Sequence, residues 1–163
     1  MGHVKISCTR CILATVCVIL ASCTTVHKIS GEYSSTDFRT ECLGFDTNGT
    51  VRVRTWGKGP DKKTAIENAK RNALEAVLFQ GITGSNCDTR PLVTAVNPRE
   101  RFHNYFNQFF TKNGPYESFI TVETKADSYI KADDSMTQLW GVTAIINRTA
   151  LETRLRNDNI INY

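Results

Sequence analysis

Thr50-Val51-Arg52-Val53-Arg54-Thr55-Trp56, followed by Gly57-Lys58-Gly59-Pro60-Asp61, carries the reading that decides the fold. Val51, Val53 and Thr55 fall on one side and Arg52, Arg54 and Trp56 on the other, the period of a strand with one face in a core. Upstream, Asp46-Thr47-Asn48-Gly49 separates it from Arg39 to Phe45. Asn-Gly tolerates positive φ at both central turn positions, so the two segments read as a hairpin. Downstream, Gly57 to Asp61 breaks the strand, and Pro60 and Asp61 supply a stop and a cap for a helix from about Asp61 to Gln80. Its stripe is Ala65, Ile66, Ala69, Ala73, Ala76 and Val77, and side chains this small let a helix lie close to a sheet. Leu74, Leu78, Phe79 and Ile82 lie off that stripe and call for a second covering element.

Gly81 to Asn86 reads as a loop, and Asp88 to Val96 as irregular chain around Arg90-Pro91. Asn97-Pro98-Arg99-Glu100 has the form of a cap, a first-turn proline and a back-reaching glutamate, opening a helix to about Lys112. That helix gathers Phe102, Tyr105, Phe106, Phe109 and Phe110 on one face and ends at Asn113-Gly114-Pro115. Two strands are predicted next, Glu117 to Ile130 (broken near Asp127) and Gln138 to Asn147, separated by Asp133-Asp134-Ser135, then a helix from Arg148 to about Ile161. The order β-β-α-α-β-β-α predicts an α+β fold: residues 38–163 as a single compact domain, an antiparallel sheet with helices packed on it.

At the other end, Leu20-Ala21-Ser22-Cys23 closes an apolar run from Cys11 to Ala21, preceded by the charges of Lys5 and Arg10. A helix needs roughly 20 apolar residues to cross a bilayer core about 30 Å thick, so this run is too short to span and reads as a cleaved signal. These residues match the bacterial lipoprotein signal. The resemblance implies removal of residues 1–22 and a covalent lipid on Cys23, with 23–37 as lipidated cysteine and flexible tether. One acyl chain holds marginally and two or more hold firmly, so membrane attachment through the anchor is expected. No Asp follows Cys23, which by comparison with Gram-negative sorting rules predicts the outer membrane, and no acidic run resembling a surface-export signal lies close to the lipid site, which predicts its periplasmic face.

Removal of the signal leaves 141 of the 163 residues, one domain of ordinary size. Lys plus Arg then falls from 20 to 18 against 16 acids, so the formal charge is +2 rather than +4 and selects no partner class. Cys8, Cys11 and Cys17 leave with the signal and Cys23 is acylated, so Cys42 and Cys87 alone remain. They either bridge, as an oxidising periplasm permits, or stay as two small buried residues.

Gly57-Lys58-Gly59-Pro60-Asp61-Lys62-Lys63-Thr64 stands one residue from a phosphate-binding loop. That motif needs glycine where Lys62 stands, and Pro60 has no amide hydrogen to give, so no nucleotide is expected; the glycines instead serve a tight strand-to-helix turn. His27 and His103 with Cys42 and Cys87 show no metal-ligand spacing, so no metal is expected. No nucleophile elbow occurs, Asp133 and Asp134 read as a solvated turn, and the chain is expected not to be an enzyme and to bind no nucleic acid. Lys58, Lys62, Lys63, Lys70 and Arg71, with Arg52, Arg54 and Trp56, form a basic set that is either a solvated face or an interaction surface for anionic lipid, an acidic partner or peptidoglycan. Asn48-Gly49-Thr50 and Asn147-Arg148-Thr149 are glycosylation sequons by pattern only.

Val51 to Gly59, with Ala65, Ala69, Lys70, Arg71, Asn72 and Ala73, resembles the strand, glycine turn and alanine-rich helix of the LPP20-type lipoproteins and of the N-terminal domain of the flagellar assembly protein T. The resemblance covers residues 39–82. The remainder, with Arg90-Pro91-Leu92-Val93 and Tyr105 to Phe110, looks like small envelope lipoproteins of Bacteroidetes. It implies no catalytic residues. It implies an assembly, accessory or adaptor role beside an envelope protein partner; the alternatives are a peptidoglycan-facing module that anchors or activates wall synthesis and, behind it, a wall hydrolase.

Overall fold

β1 (Glu41–Phe45) and β2 (Thr50–Gly59) form the expected hairpin in a computed structural model, which describes residues 40–84, 87–123, 128–131 and 137–162. Cys23, His27, the signal and tether segments and Asp133-Asp134 lie outside the described residues. The turn differs from expectation. Asp46 N–H donates to Thr50 O at 2.9 Å and Gly49 N–H to Asp46 O at 3.0 Å, and only Gly49 of the Asn-Gly pair takes a positive φ, +81°. Asn48 Oδ1 instead accepts from the Thr50 amide and hydroxyl at 3.1 and 2.8 Å, which engages its side chain on the far side of the turn.

Gly57 and Gly59 do not break the strand. Both belong to β2, opposite Trp140 and Gln138 of a long partner strand. Their lack of a side chain serves the helix above, α1 (Lys62–Glu75): a Cβ on Gly57 would collide with the backbone of Ala65 and Ala69, and one on Gly59 would lie 2.6 Å from Ala65 N. The inner face of β2 runs Val51, Val53, Thr55, Gly57, Gly59, so its side chains shrink toward one end and α1 descends onto the sheet there. The helix opens with Asp61, whose carboxylate accepts from Thr64 N–H and hydroxyl, each at 2.9 Å. Those bonds hold the Asp61 carboxyl below its ordinary range.

α1 also guards an edge. β1 stops with Glu41 opposite Arg54, and beyond it the carbonyls of Trp56 and Lys58 accept from Asn72 Nδ2 at 2.8 Å and Asn68 Nδ2 at 2.7 Å. Asn68 and Asn72 are one helical turn apart, the spacing that reaches alternate residues of a strand.

The last turn widens to a π-helix, Ala76–Gln80, and Leu92 and Val93 donate to the freed carbonyls of Val77 and Leu78 at 3.1 and 2.9 Å. Between them the expected loop is a small hairpin, β3 (Ile82–Gly84) with β4 (Cys87–Thr89). Cys87 is bonded to Cys42 of β1 with Cα atoms 5.8 Å apart, and this bridge supplies the fixed point that such short strands lack.

The aromatic helix is two pieces, α2 (Pro98–Arg101) and α3 (His103–Phe109), because Phe102 leaves helical dihedrals (φ −113°, ψ 30°) and sets its ring edge-on to Phe106. Asn97 makes no side-chain cap; it sits left-handed at φ 47°, and its carbonyl takes the Glu100 and Arg101 amides. Glu117 to Phe119 form no strand either. Pro115–Phe119 is a 3₁₀ turn that buries Tyr116 completely, its hydroxyl donating to Glu67 Oε2 at 3.0 Å.

β5 (Ile120–Val122) and β6 (Ser128–Lys131) follow, both antiparallel to β7 (Gln138–Asn147). The sheet order is β1-β2-β7-β5, with β6 beside β5 on the same edge of β7. α4 (Arg148–Asn157) is capped by Asn147 Oδ1, which accepts from Ala150 N–H at 2.9 Å. It ends earlier than expected. Asn159 turns left-handed (φ 57°), its amide donates to Arg156 O at 3.0 Å, and Ile160 N–H donates to Leu155 O at 2.9 Å, the paired bonds of a Schellman stop.

The result is a single compact α+β domain with an antiparallel sheet and helices packed against it. The core lies at the wide end of the wedge, where Val51, Val53 and Ile146 meet Leu74, Leu78, Phe106, Phe109, Leu151 and Leu155. Phe106 of α3 supplies the cover that Phe79 needed, with ring centres 4.8 Å apart. No helix among the described residues is long and apolar enough to cross a membrane.

Candidate functional site

The basic set divides in two. Lys58 is exposed on the outer sheet face, and Lys62 and Lys63 are exposed on the first turn of α1, all three at the narrow end of the wedge. Lys62 Nζ lies 4.1 Å from the Trp140 ring centre, and Arg54 lies 5.6 Å from that of Trp56 on the opposite face of the sheet. Lys70 and Arg71 stand two helical turns further on and serve the fold. Lys70 pairs with Glu67 at 2.7 Å, and Arg71 lies 5.4 Å from the Tyr116 ring centre. Burial works to raise the Glu67 carboxyl, but hydrogen bonds from Lys70 and Tyr116 outweigh it and hold the group low. Arg52 is bound across the outer face to Glu123 at 2.6 Å.

Both sequons are used inside the fold, Asn48 in the hairpin turn and Asn147 as a helix cap. His103 accepts from Asn107 Nδ2 on its own helix, at 2.9 Å. The phosphate-loop resemblance ends at Gly57 and Gly59, whose open faces are filled by α1.

A different set of residues makes a concavity. At the wide end, the segment after β4 runs beside the end of α2 and the length of α4, leaving a cleft of about 550 Å³. Its walls carry Arg101 from α2, and Arg148, Glu152 and Arg156 from α4. The last three are spaced by four residues, one face of the helix. Glu152 is occupied: Arg156 reaches it at 2.6 Å and Arg148 at 3.5 Å. Arg148 also donates to Arg90 O at 3.3 Å, while its Nε is buried with no hydrogen-bond partner. Leu92 and Val93 are buried in the opposite wall, and Ile160 and Ile161 fold back beside them after the Schellman stop.

Two supports fix this geometry. The Cys42–Cys87 bridge holds the hairpin from which the Arg90 to Ala95 segment departs. Tyr105 of α3 donates to Asp158 Oδ2 at 2.7 Å, and Arg154 donates to the same oxygen at 2.6 Å, so α3 and the end of α4 are tied. Burial first, and then the bond to Asp158, push the Tyr105 phenol above its ordinary range. The Asp158 carboxyl, which burial works to raise, is held low by Arg154 and Tyr105.

Chemically the cleft can hold an anion. Its one carboxylate among the described residues is already bound by two guanidiniums and is not aimed at an open space as an acid or base would be. No signal in the sequence singled it out: Arg101, Arg148 and Arg156 are far apart in the chain or masked as ordinary helix-face charges. The i, i+4, i+8 pattern Arg148, Glu152, Arg156 was visible, but only the returning 91–95 segment turns it into a wall.

No protein-family model, curated protein or solved structure matches the chain. What the protein does is therefore argued from its own residues.

Proposed function

We propose that this chain is a non-enzymatic lipoprotein of the outer membrane, anchored through Cys23 on the periplasmic side, whose α+β domain is an accessory or adaptor module for an envelope apparatus. The observation that carries the reading is the arginine-walled cleft, a concavity equipped to hold a partner's charge, whose one carboxylate among the described lining, Glu152, is engaged by two arginines. The lipobox and the Cys42–Cys87 bridge support an oxidising, membrane-bound setting, since disulfides persist there and are rare in the cytosol. The resemblance of residues 39–82 to envelope-assembly lipoproteins points the same way by analogy.

A peptidoglycan-facing module is the second reading. It is favoured by the same lining, because wall stem peptides carry carboxylates that guanidiniums recognise. The large apolar side chains exposed among the described residues are Leu43, Phe45 and Val96, so a broad apolar dock is not what recommends the adaptor reading; charge is.

In-cell crosslinking with affinity capture of the lipidated protein, beside Cys23→Ala, tests the proposal. One defined envelope complex captured only with Cys23 present is the expected result. Wall fragments alone, or capture indifferent to Cys23, would sink it.

A further inference from the structure

Among the described residues, the cleft sets three cations, Arg101, Arg148 and Arg156, against the single carboxylate of Glu152. Arg101 stands exposed at the mouth, 5.4 Å from the Phe102 ring centre, and pairs with no carboxylate among the described residues. Arg148 is fixed deeper by Arg90 O and Glu152 and still has a buried Nε with no partner. Guanidiniums present planar forks of N–H donors that match carboxylates, and fixed ones lose little freedom on binding. The apolar surface beside them is small and comes from the half-buried Ile160 and Ile161, since Leu92 and Val93 are buried. An inorganic anion would meet the cations and leave that apolar surface wet. A segment bearing both carboxylates and aliphatic side chains would meet both.

We propose that the cleft is the docking site for an acidic peptide segment of a partner protein, its carboxylates taken by Arg101 and Arg148 and an aliphatic side chain seated on Ile160 and Ile161. The inference rests on the adaptor reading and names the chemistry of the partner. A volume of about 550 Å³ is room for a few side chains, which suits a short linear segment rather than a folded surface.

Fluorescence anisotropy on the full lipidated chain in detergent tests it, using a dye-labelled peptide that alternates glutamate with leucine, its glutamine counterpart, and soluble muropeptides. The glutamate peptide should bind, the glutamine peptide about ten-fold more weakly or worse, and binding should weaken as salt rises. Arg101→Gln, at an exposed position that the fold does not use, should weaken the glutamate peptide several-fold; Arg148→Gln should weaken it further. Equal binding of the two peptides, no binding of either, indifference to Arg101→Gln, or binding of muropeptides alone would overturn the proposal. Its failure is separable from that of the adaptor reading. A Cys23-dependent envelope complex that survives both arginine substitutions removes the cleft from the account and leaves the adaptor, whereas the absence of any complex removes both.

Discussion

The two ends of the α1 wedge are built on opposite principles. At the narrow end Gly57, Gly59, Ala65 and Ala69 bring helix and strand into backbone contact, and nothing larger than a methyl group fits between them. At the wide end the gap holds Leu74, Phe106 and Leu155, and past the core it opens into a cleft walled by arginines. The first is a place where function would have no room; the second sets guanidiniums around an open concavity that a ligand can enter. The difference teaches that the residues that fix this fold and those that serve its partner are largely separate sets, so each can be broken without the other.

The Cys42–Cys87 bridge is the largest lever. A disulfide closing about 45 residues contributes roughly 4 kcal/mol on the chain-entropy model, so reduction, or Cys42→Ser with Cys87→Ser, should lower the unfolding free energy by that order, read as a lower urea midpoint, and loosen the Arg90 to Ala95 wall. Unchanged midpoints with and without reductant would show that the small hairpin is held by other contacts. Next comes Gly57→Ala. A Cβ there meets backbone atoms of Ala65 and Ala69, which cannot rotate away, and overpacking of this kind should cost about 3 kcal/mol, read by denaturant unfolding, with the peptide affinity of the surviving folded protein unaltered. Loss of that affinity would mean the ends are coupled.

Smaller effects sharpen the contrast. Asp61→Ala removes the cap of α1 at the narrow end and should cost about 1 kcal/mol. Near the cleft the sensitive variable is pH. Asp158 is depressed in the fold, so its contribution is complete above its unfolded value near 4 and disappears as pH falls through the folded one. Tyr105 is raised, so its contribution is complete below about 10 and is lost as pH climbs beyond it. Urea midpoints across pH should therefore fall at both extremes, and Tyr105→Phe should flatten the alkaline side while removing part of the acid one. An alkaline limb unaffected by Tyr105→Phe would place the loss elsewhere. The smallest stability change belongs to Arg101→Gln, within about 0.5 kcal/mol, since it is exposed and bears no ion pair among the described residues.

What was legible in the chain follows the same division. Alternation in Val51 to Trp56, the alanine stripe and the length of Gln138 to Asn147 depend on local period, and each element formed where its pattern lies. Gly57 and Gly59 are ambiguous in sequence, because a strand-to-helix turn and a helix lying on a strand ask for the same residue. Loop 81–86 became a hairpin tied by a disulfide that pairs residues 45 apart, which nearby residues do not encode, and the helix breaks at Phe102, whose ring meets Phe106 one turn on. The cleft was illegible for a stronger reason. It is assembled by α2, α4 and the 91–95 segment meeting in space, and an arginine on a helix face looks the same in sequence whether it faces water or a partner.

The most direct test places a photo-crosslinking residue in living cells at Thr94, exposed in the cleft wall, and separately at Lys63, exposed on the first turn of α1. The account predicts one envelope protein captured from Thr94, lost with Arg101→Gln and Arg148→Gln together, and not captured from Lys63. Capture of the same protein from Lys63 in preference, or undiminished capture from Thr94 without the two arginines, would contradict it.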